Sequence, residues 1–261
     1  MAVVRPAAVA GAFYPADPSV LGRTIDTLLS SATPASKARG YIVPHAGLQY
    51  SGPIAATAYA SIARLDPLPT RVLLLGPSHH VGFTGLALPG ADAFETPLGA
   101  ITLDVEAMND LETLPFVRHL PRAHAREHCL EVQLPFLQRV LPRFTLVPLV
   151  VGDATPAEVA TVIDRLWTTS TLVLVSSDLS HFLSSAEAKA LDARTAKRIE
   201  ALDSTIDGDD ACGCRGINGL LELAHQKHLR LDVLDLRNSG DTAGDRARVV
   251  GYGAFSIEEP S

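Results

Sequence analysis

Two kinds of apolar pattern alternate along the chain. Short, nearly unbroken apolar runs at 40–43, 71–75, 144–151 and 171–175 have the length and branched content of strands buried on both faces. Between them, apolar residues recur at helical spacing over 19–30, 53–64, 127–140, 156–167, 185–202 and 215–227, and several of these stretches open with a Ser, Thr or Asp able to cap a first turn. This alternation predicts an α/β fold, with a central, mainly parallel or mixed sheet flanked by helices. Two period-two stretches, LRLDVLDLRN at 229–238 and RVVGYGAFSI at 248–257, predict further strands at one edge, joined by the polar loop SGDTAGDRA. LALPG and GAITLD, joined by ADAFETPL, predict a hairpin-like excursion. With no linker, internal repeat or low-complexity tract, residues 1–261 read as a single domain.

Composition narrows the partners. Apolar residues make up 47% of the chain and charged residues 20%, a balance that fills a core and is far from that of disordered segments. A formal net charge of −7, with no basic cluster, argues against nucleic acid. Prolines interrupt the apolar start before a membrane-spanning or signal-peptide length is reached, so the expectation is a cytoplasmic protein with no membrane partner. Cys129, Cys212 and Cys214 are an odd number without paired C-x-x-C knuckles, so neither a disulfide framework nor a structural zinc is indicated. The two thiols of the C-x-C pair are read as buried or idle rather than as ligands.

The candidate chemistry stands at the ends of the apolar runs. YIVPHAG delivers His45, VLLLGPSHH delivers His79 and His80, and TLVLVSSDLSH delivers Asp178 and His181. Loops at the carboxyl ends of parallel strands share one edge of an open sheet, so these distant residues can meet in one crevice. Neutral imidazoles with a carboxylate form a first shell for iron, zinc or copper and leave positions open. Histidine as a residue type, with an unperturbed pKa of ~6.5, suits acid or base work at neutral pH, so His181 is the candidate acid or base if it is not itself a ligand. In REHCLEVQLPFLQRVLP, His128 and Glu131 stand three apart on a predicted helix, with Glu127 as a helix-start residue; His128 is a candidate catalytic group and Glu131 a possible additional ligand. The absence of G-x-x-x-x-G-K-[ST], of a dinucleotide G-x-G-x-x-G and of a G-x-S-x-G elbow takes support from nucleotide hydrolysis and hydride transfer.

Taken in order, RPAAVAGAFYP, VPHAGLQYSG, LGPSHHVGF, ETPLG, REHCLEVQLPFL, SSDLSH and RVVGYGAF resemble the Memo family over nearly the whole chain. The resemblance implies a fold similar to the catalytic subunit of class III extradiol, non-haem iron dioxygenases. It also implies one divalent metal, with Fe(II) favoured and zinc or copper as alternatives. By motif, His45 and one of His79 and His80 match the family's metal-side histidines, and Asp178 and His181 its aspartate and second histidine. Some relatives carry a metal-associated cysteine before the final strand, where this chain has Asp241, Thr242 and Asp245; loss of a thiolate there shifts preference toward harder metals. The resemblance further implies a pathway shared with AMMECR1-domain and radical SAM partner proteins. Three functions follow as expectations: a dioxygenase-like, metal-dependent oxidoreductase acting on a small-molecule or peptide substrate; a zinc-dependent hydrolase; and a non-catalytic peptide- or protein-binding module using a vestigial site, for which Arg122 and Arg126 are the nearby cations.

Overall fold

A computed structural model of the chain describes residues 2–259. In chain order the elements are β1 (Val4–Arg5), α1 (Pro18–Ser31), β2 (Gly40–Val43), α2 (Leu48–Ile62), β3 (Arg71–Pro77), β4 (Leu86–Leu88), β5 (Ala93–Thr96) and β6 (Gly99–Thr102). They continue with α3 (Val105–Glu112), β7 (Val117–His119), α4 (Pro121–Ala125), α5 (Leu134–Val140), β8 (Thr145–Val151), α6 (Pro156–Leu166), β9 (Thr171–Ser176) and β10 (His181–Leu183). The chain ends with α7 (Ser185–Glu200), α8 (Cys214–Gln226), β11 (Arg230–Asn238) and β12 (Val249–Glu258).

The four apolar runs become β2, β3, β8 and β9, adjacent and parallel in the order β2-β9-β3-β8. Every residue of β2 and β9 is buried, which is why their sequences show no alternation: helices cover both faces and neither face meets water. β12 joins antiparallel to β2, and β4 antiparallel to β8, so the expected mainly parallel or mixed sheet is mixed. The two period-two stretches pair with each other as β11 and β12.

Two local expectations need correction. LALPG does not pair with GAITLD: β4 joins the main sheet, and the hairpin is formed by β5 and β6 in a separate three-stranded sheet with β1. The helix expected over 127–140 starts as a 3-10 turn at Glu131–Gln133 and becomes α5 only at Leu134. Its first residues are held out of helix because the Glu127 carboxylate accepts from the backbone N–H groups of His128 at 3.0 Å and Cys129 at 3.2 Å, a side-chain competitor for the first turn.

Candidate metal centre

Because β2, β9 and β3 are parallel neighbours, their carboxyl ends lie side by side, with Val43 opposite Ser176 and Leu75 opposite Val175. The chain then runs into Pro44–His45, Ser78–His79–His80 and Ser177–Asp178. His45 and His79 come within 5.3 Å between ring centroids, His45 and His128 within 5.4 Å, and His79 and His128 within 4.5 Å. One nitrogen from each of the three lies within 4.8 Å of the others, near enough to close on a single ion with small movements of the rings.

The surroundings decide which nitrogen is available. Ser176, the last residue of β9, donates its only hydroxyl proton to the Cys129 carbonyl at 2.7 Å. Its oxygen therefore accepts both from Gln133 Nε2 at 2.9 Å and from His45 Nδ1 at 2.9 Å, which fills its hydrogen-bonding capacity. Gln133 is itself fixed, donating to the Pro44 carbonyl and accepting from the Tyr59 hydroxyl at 2.8 Å. The proton of His45 thus sits on Nδ1 and the lone pair on Nε2, the arrangement of a metal-binding imidazole with an outer partner. Burial, followed by the charge of His79, pushes the His45 pKa down to about 3, which keeps the ring neutral.

His79 is oriented by a carboxylate instead. Glu127 accepts from His79 Nδ1 at 2.8 Å and from its backbone N–H at 2.7 Å. Burial works against the Glu127 carboxylate, but its bonds and charge interaction with His79 outweigh this and lower its pKa to about 2. As an anion it only accepts, so Nδ1 carries the proton and Nε2 is left for a ligand. His128 has Nδ1 3.4 Å from the same carboxylate and packs on Phe13 at 4.7 Å; burial, then the charges of His45 and His79, lowers its pKa to about 4.

The other candidate residues divide. Asp178, 4% exposed, accepts from the His45 backbone N–H at 2.7 Å, and burial raises its pKa. It lines a cavity of about 390 Å³ with His128, Phe13, Tyr50, Asp245 and Arg248. His181 opens β10, is exposed, and stands near enough to act by charge on both Asp178 and His45. His80 is exposed, 6.3 Å from the His128 ring, and outside the three-imidazole group. Glu131 is a correction: both its oxygens are committed to the N-terminal segment, to Arg5, Ala8, Val9 and Tyr14. So is Asp241, which pairs with Lys189 and caps Asn238. Asp245 reaches the cavity wall but accepts from the Ala247 backbone.

Sequence reasoning missed several participants. His128 was expected beside the metal as a proton carrier and stands among the would-be ligands. Glu127 was read as a helix-start residue and instead orients His79. Ser176, Gln133 and Tyr59 carried no signal beyond a serine at a strand end. A second group, His79, Glu127 and Cys129, is less suited to an ion, because the Cys129 thiol donates to the Pro77 carbonyl and Glu127 is saturated by N–H donors.

A family model described as Memo-like protein matches residues 5–256. A MEMO1 family protein of Aquifex aeolicus is 37% identical over 272 residues, covering 95% of this chain and 97% of the relative. Another, from Ignicoccus hospitalis, is 33% identical and covers 99% and 100%. Among solved structures, an uncharacterized protein from Escherichia coli K12 aligns with a TM-score of 0.48 at 11% identity, over 82% of this chain and 98% of that chain. No helix among the described residues is long and apolar enough to cross a membrane.

Proposed function

The chain belongs to the Memo-like protein family, and from that premise we propose that it is a metal-dependent oxidoreductase holding one divalent transition metal, Fe(II) foremost, on His45, His79 and His128. The observation that carries this reading is the approach of three imidazoles within 4.8 Å, two of them with their protons fixed on Nδ1 by Ser176 and Glu127. Nitrogen donors suit iron, zinc and copper, whereas magnesium and calcium favour oxygen. Such an ion, when bound, supplies Lewis-acid and redox activation at positions the protein leaves open.

The chain's own residues do the rest. Ser176 and Glu127 hold the two rings in the tautomer that ligates, and Asp178 fixes the backbone of His45. Phe13 and Tyr50 wall the cavity in which a small substrate sits beside His128, and Arg248 stands at its rim, stacked 4.4 Å over Phe182. His181, exposed and close to Asp178, is placed to exchange a proton with solvent. One observation favours a second reading as a zinc hydrolase: all three donors are imidazoles, the set zinc uses when it activates water.

Protein purified anaerobically without a tag, stripped, and reloaded with Fe(II) or Zn(II) separates the two. Oxygen uptake with aromatic ortho-diols in the iron form, abolished by His45→Ala, supports the oxidoreductase. Ester or phosphate hydrolysis by the zinc form, with no oxygen uptake by the iron form, overturns it in favour of the hydrolase.

A further inference from the structure

Phe182 is held in an unusual way at the rim of the crevice. β10 meets β12 with His181 opposite Val250 and Leu183 opposite Val249, so Phe182 is the extra residue of a β-bulge. Its φ is 63°, a left-handed backbone that such bulges normally give to glycine and that strains a bulky side chain. Burial does not offset the strain, since Phe182 is 61% exposed. An aromatic ring kept out of the core on a strained backbone has its partner outside the core.

That partner is Arg248. Its guanidinium lies over the Phe182 ring, 4.4 Å from the centroid, and the His181 ring is 5.6 Å from the same ring. Contact with a ring face engages the charge of a guanidinium and leaves its N–H donors unspent. Arg246, two residues earlier, donates from Nε to the Gly240 carbonyl, whereas the Arg248 side chain has no such acceptor among the described residues. Asp245, the acid on the same cavity wall, accepts instead from the Ala247 backbone N–H at 2.6 Å. Arg248 is the only lysine or arginine among the described residues that line the cavity of about 390 Å³ shared by His128, Phe13, Tyr50 and Tyr252.

We propose that Arg248 sets the specificity of this cavity by binding one carboxylate carried on the ring of an aromatic ortho-diol. This rests on the oxidoreductase reading above and names its substrate class. A carboxylate matches the guanidinium fork, with two N–H donors meeting two oxygens. Its single charge suits the site as well: Arg248 is the one cationic side chain of that kind on the wall, and Asp245 stands beside it, so a dianion such as a phosphate ester meets repulsion that one guanidinium does not offset. Phe13, Tyr50 and Tyr252 supply aromatic contact for the ring of the diol. Phe182 is a positioning residue: it holds the guanidinium at the rim before the substrate arrives, which reduces the cost of ordering a long side chain on binding.

Binding to Fe(II)-loaded protein kept anaerobic is measured by calorimetry with two probes, catechol and 3,4-dihydroxybenzoate, in wild type, Arg248→Gln, Arg248→Lys and Phe182→Gly. The expected result is a preference of ~10-fold or more for the carboxylated diol in wild type, the size of one charge-assisted pair. Arg248→Gln weakens the carboxylated diol far more than catechol and so erases the preference, Arg248→Lys restores part of it, and Phe182→Gly reduces it. Benzoate, which has the carboxylate without the diol, binds metal-free wild type and not metal-free Arg248→Gln, so the carboxylate site is read even where no iron loads. Equal affinity for the two diols in wild type, or a preference that survives Arg248→Gln, overturns the proposal. An Arg248-dependent preference with no oxygen uptake by the iron protein upholds the carboxylate site and overturns the oxidoreductase reading alone.

Discussion

Glu127 and Glu131 stand four residues apart, both almost wholly buried at 1% and 0% exposure, and they do opposite things. Glu131 accepts from Arg5 at 2.6 Å, Tyr14 at 2.5 Å, and the backbone of Ala8 and Val9. Arg5 completes its own shell with the carbonyls of Pro6, His124 and Glu127. All these partners lie within the group, so it is a closed knot that ties the first residues of the chain to the turn before α5. Glu127 is equally saturated, but one of its donors is an imidazole whose other nitrogen faces the crevice. A buried carboxylate becomes part of a functional site when one of its partners has a free end.

The sharpest way to break this comparison is Glu131→Ala, which leaves Arg5 buried without its counter-charge. Loss of one partner from such a pair costs about 3–5 kcal/mol, read as a lower urea midpoint, while metal bound per folded chain stays at the wild-type level. Next, His79→Ala removes a ligand from a partly exposed position: metal affinity falls by more than ~100-fold, beyond the range for outer partners, with a smaller loss of stability than Glu131→Ala, because the Glu127 carboxylate keeps its three backbone N–H donors. Calorimetric metal titration and urea unfolding together read both numbers. Glu127→Gln keeps the shape but weakens the hold on His79, and metal affinity drops by ~10–100-fold; no drop would place Glu127 with Glu131 as a purely structural acid.

A separate effect is in pH dependence. His124 is buried in the closed knot, bonds the Ala87 carbonyl through Nε2, and has its pKa pushed from 6.5 down to about 4 by burial. The unfolded chain takes up this proton near pH 6.5 and the folded chain only near 4, so its contribution is complete above 6.5 and disappears as pH falls toward 4. In His124→Gln the stability of metal-free protein declines less steeply over that window; an unchanged slope would remove His124 from the account.

The fold was legible because β2, β3, β8 and β9 are buried on both faces, and burial of that kind leaves an unbroken apolar run in sequence. That His45, the His79–His80 pair and Asp178 share one edge was legible for a related reason, since each follows such a run and parallel strands deliver their ends together, but which of His79 and His80 turns toward His45 was not. The start of α5 was not, since the apolar spacing over 127–140 is helical and only the reach of the Glu127 carboxylate to three backbone N–H groups shows why the first turn opens. Neither was the difference between Glu127 and Glu131, which share residue type and helical spacing and differ only in partners up to 126 positions away. Cys212, in the C-x-C pair, was read as idle because nothing in that spacing betrays its neighbour, His45, 167 positions earlier.

The central claim is that His45, His79 and His128, and not the neighbouring His80 and His181, form one metal site. Elemental analysis of untagged, anaerobically purified protein tests it directly in wild type and in the single variants His45→Ala, His79→Ala, His128→Ala, His80→Ala and His181→Ala. One metal per chain in wild type, lost in the first three and kept in the last two, is the predicted result. Metal retained after His45→Ala and His79→Ala, or absent from wild type even after reconstitution, would contradict the account.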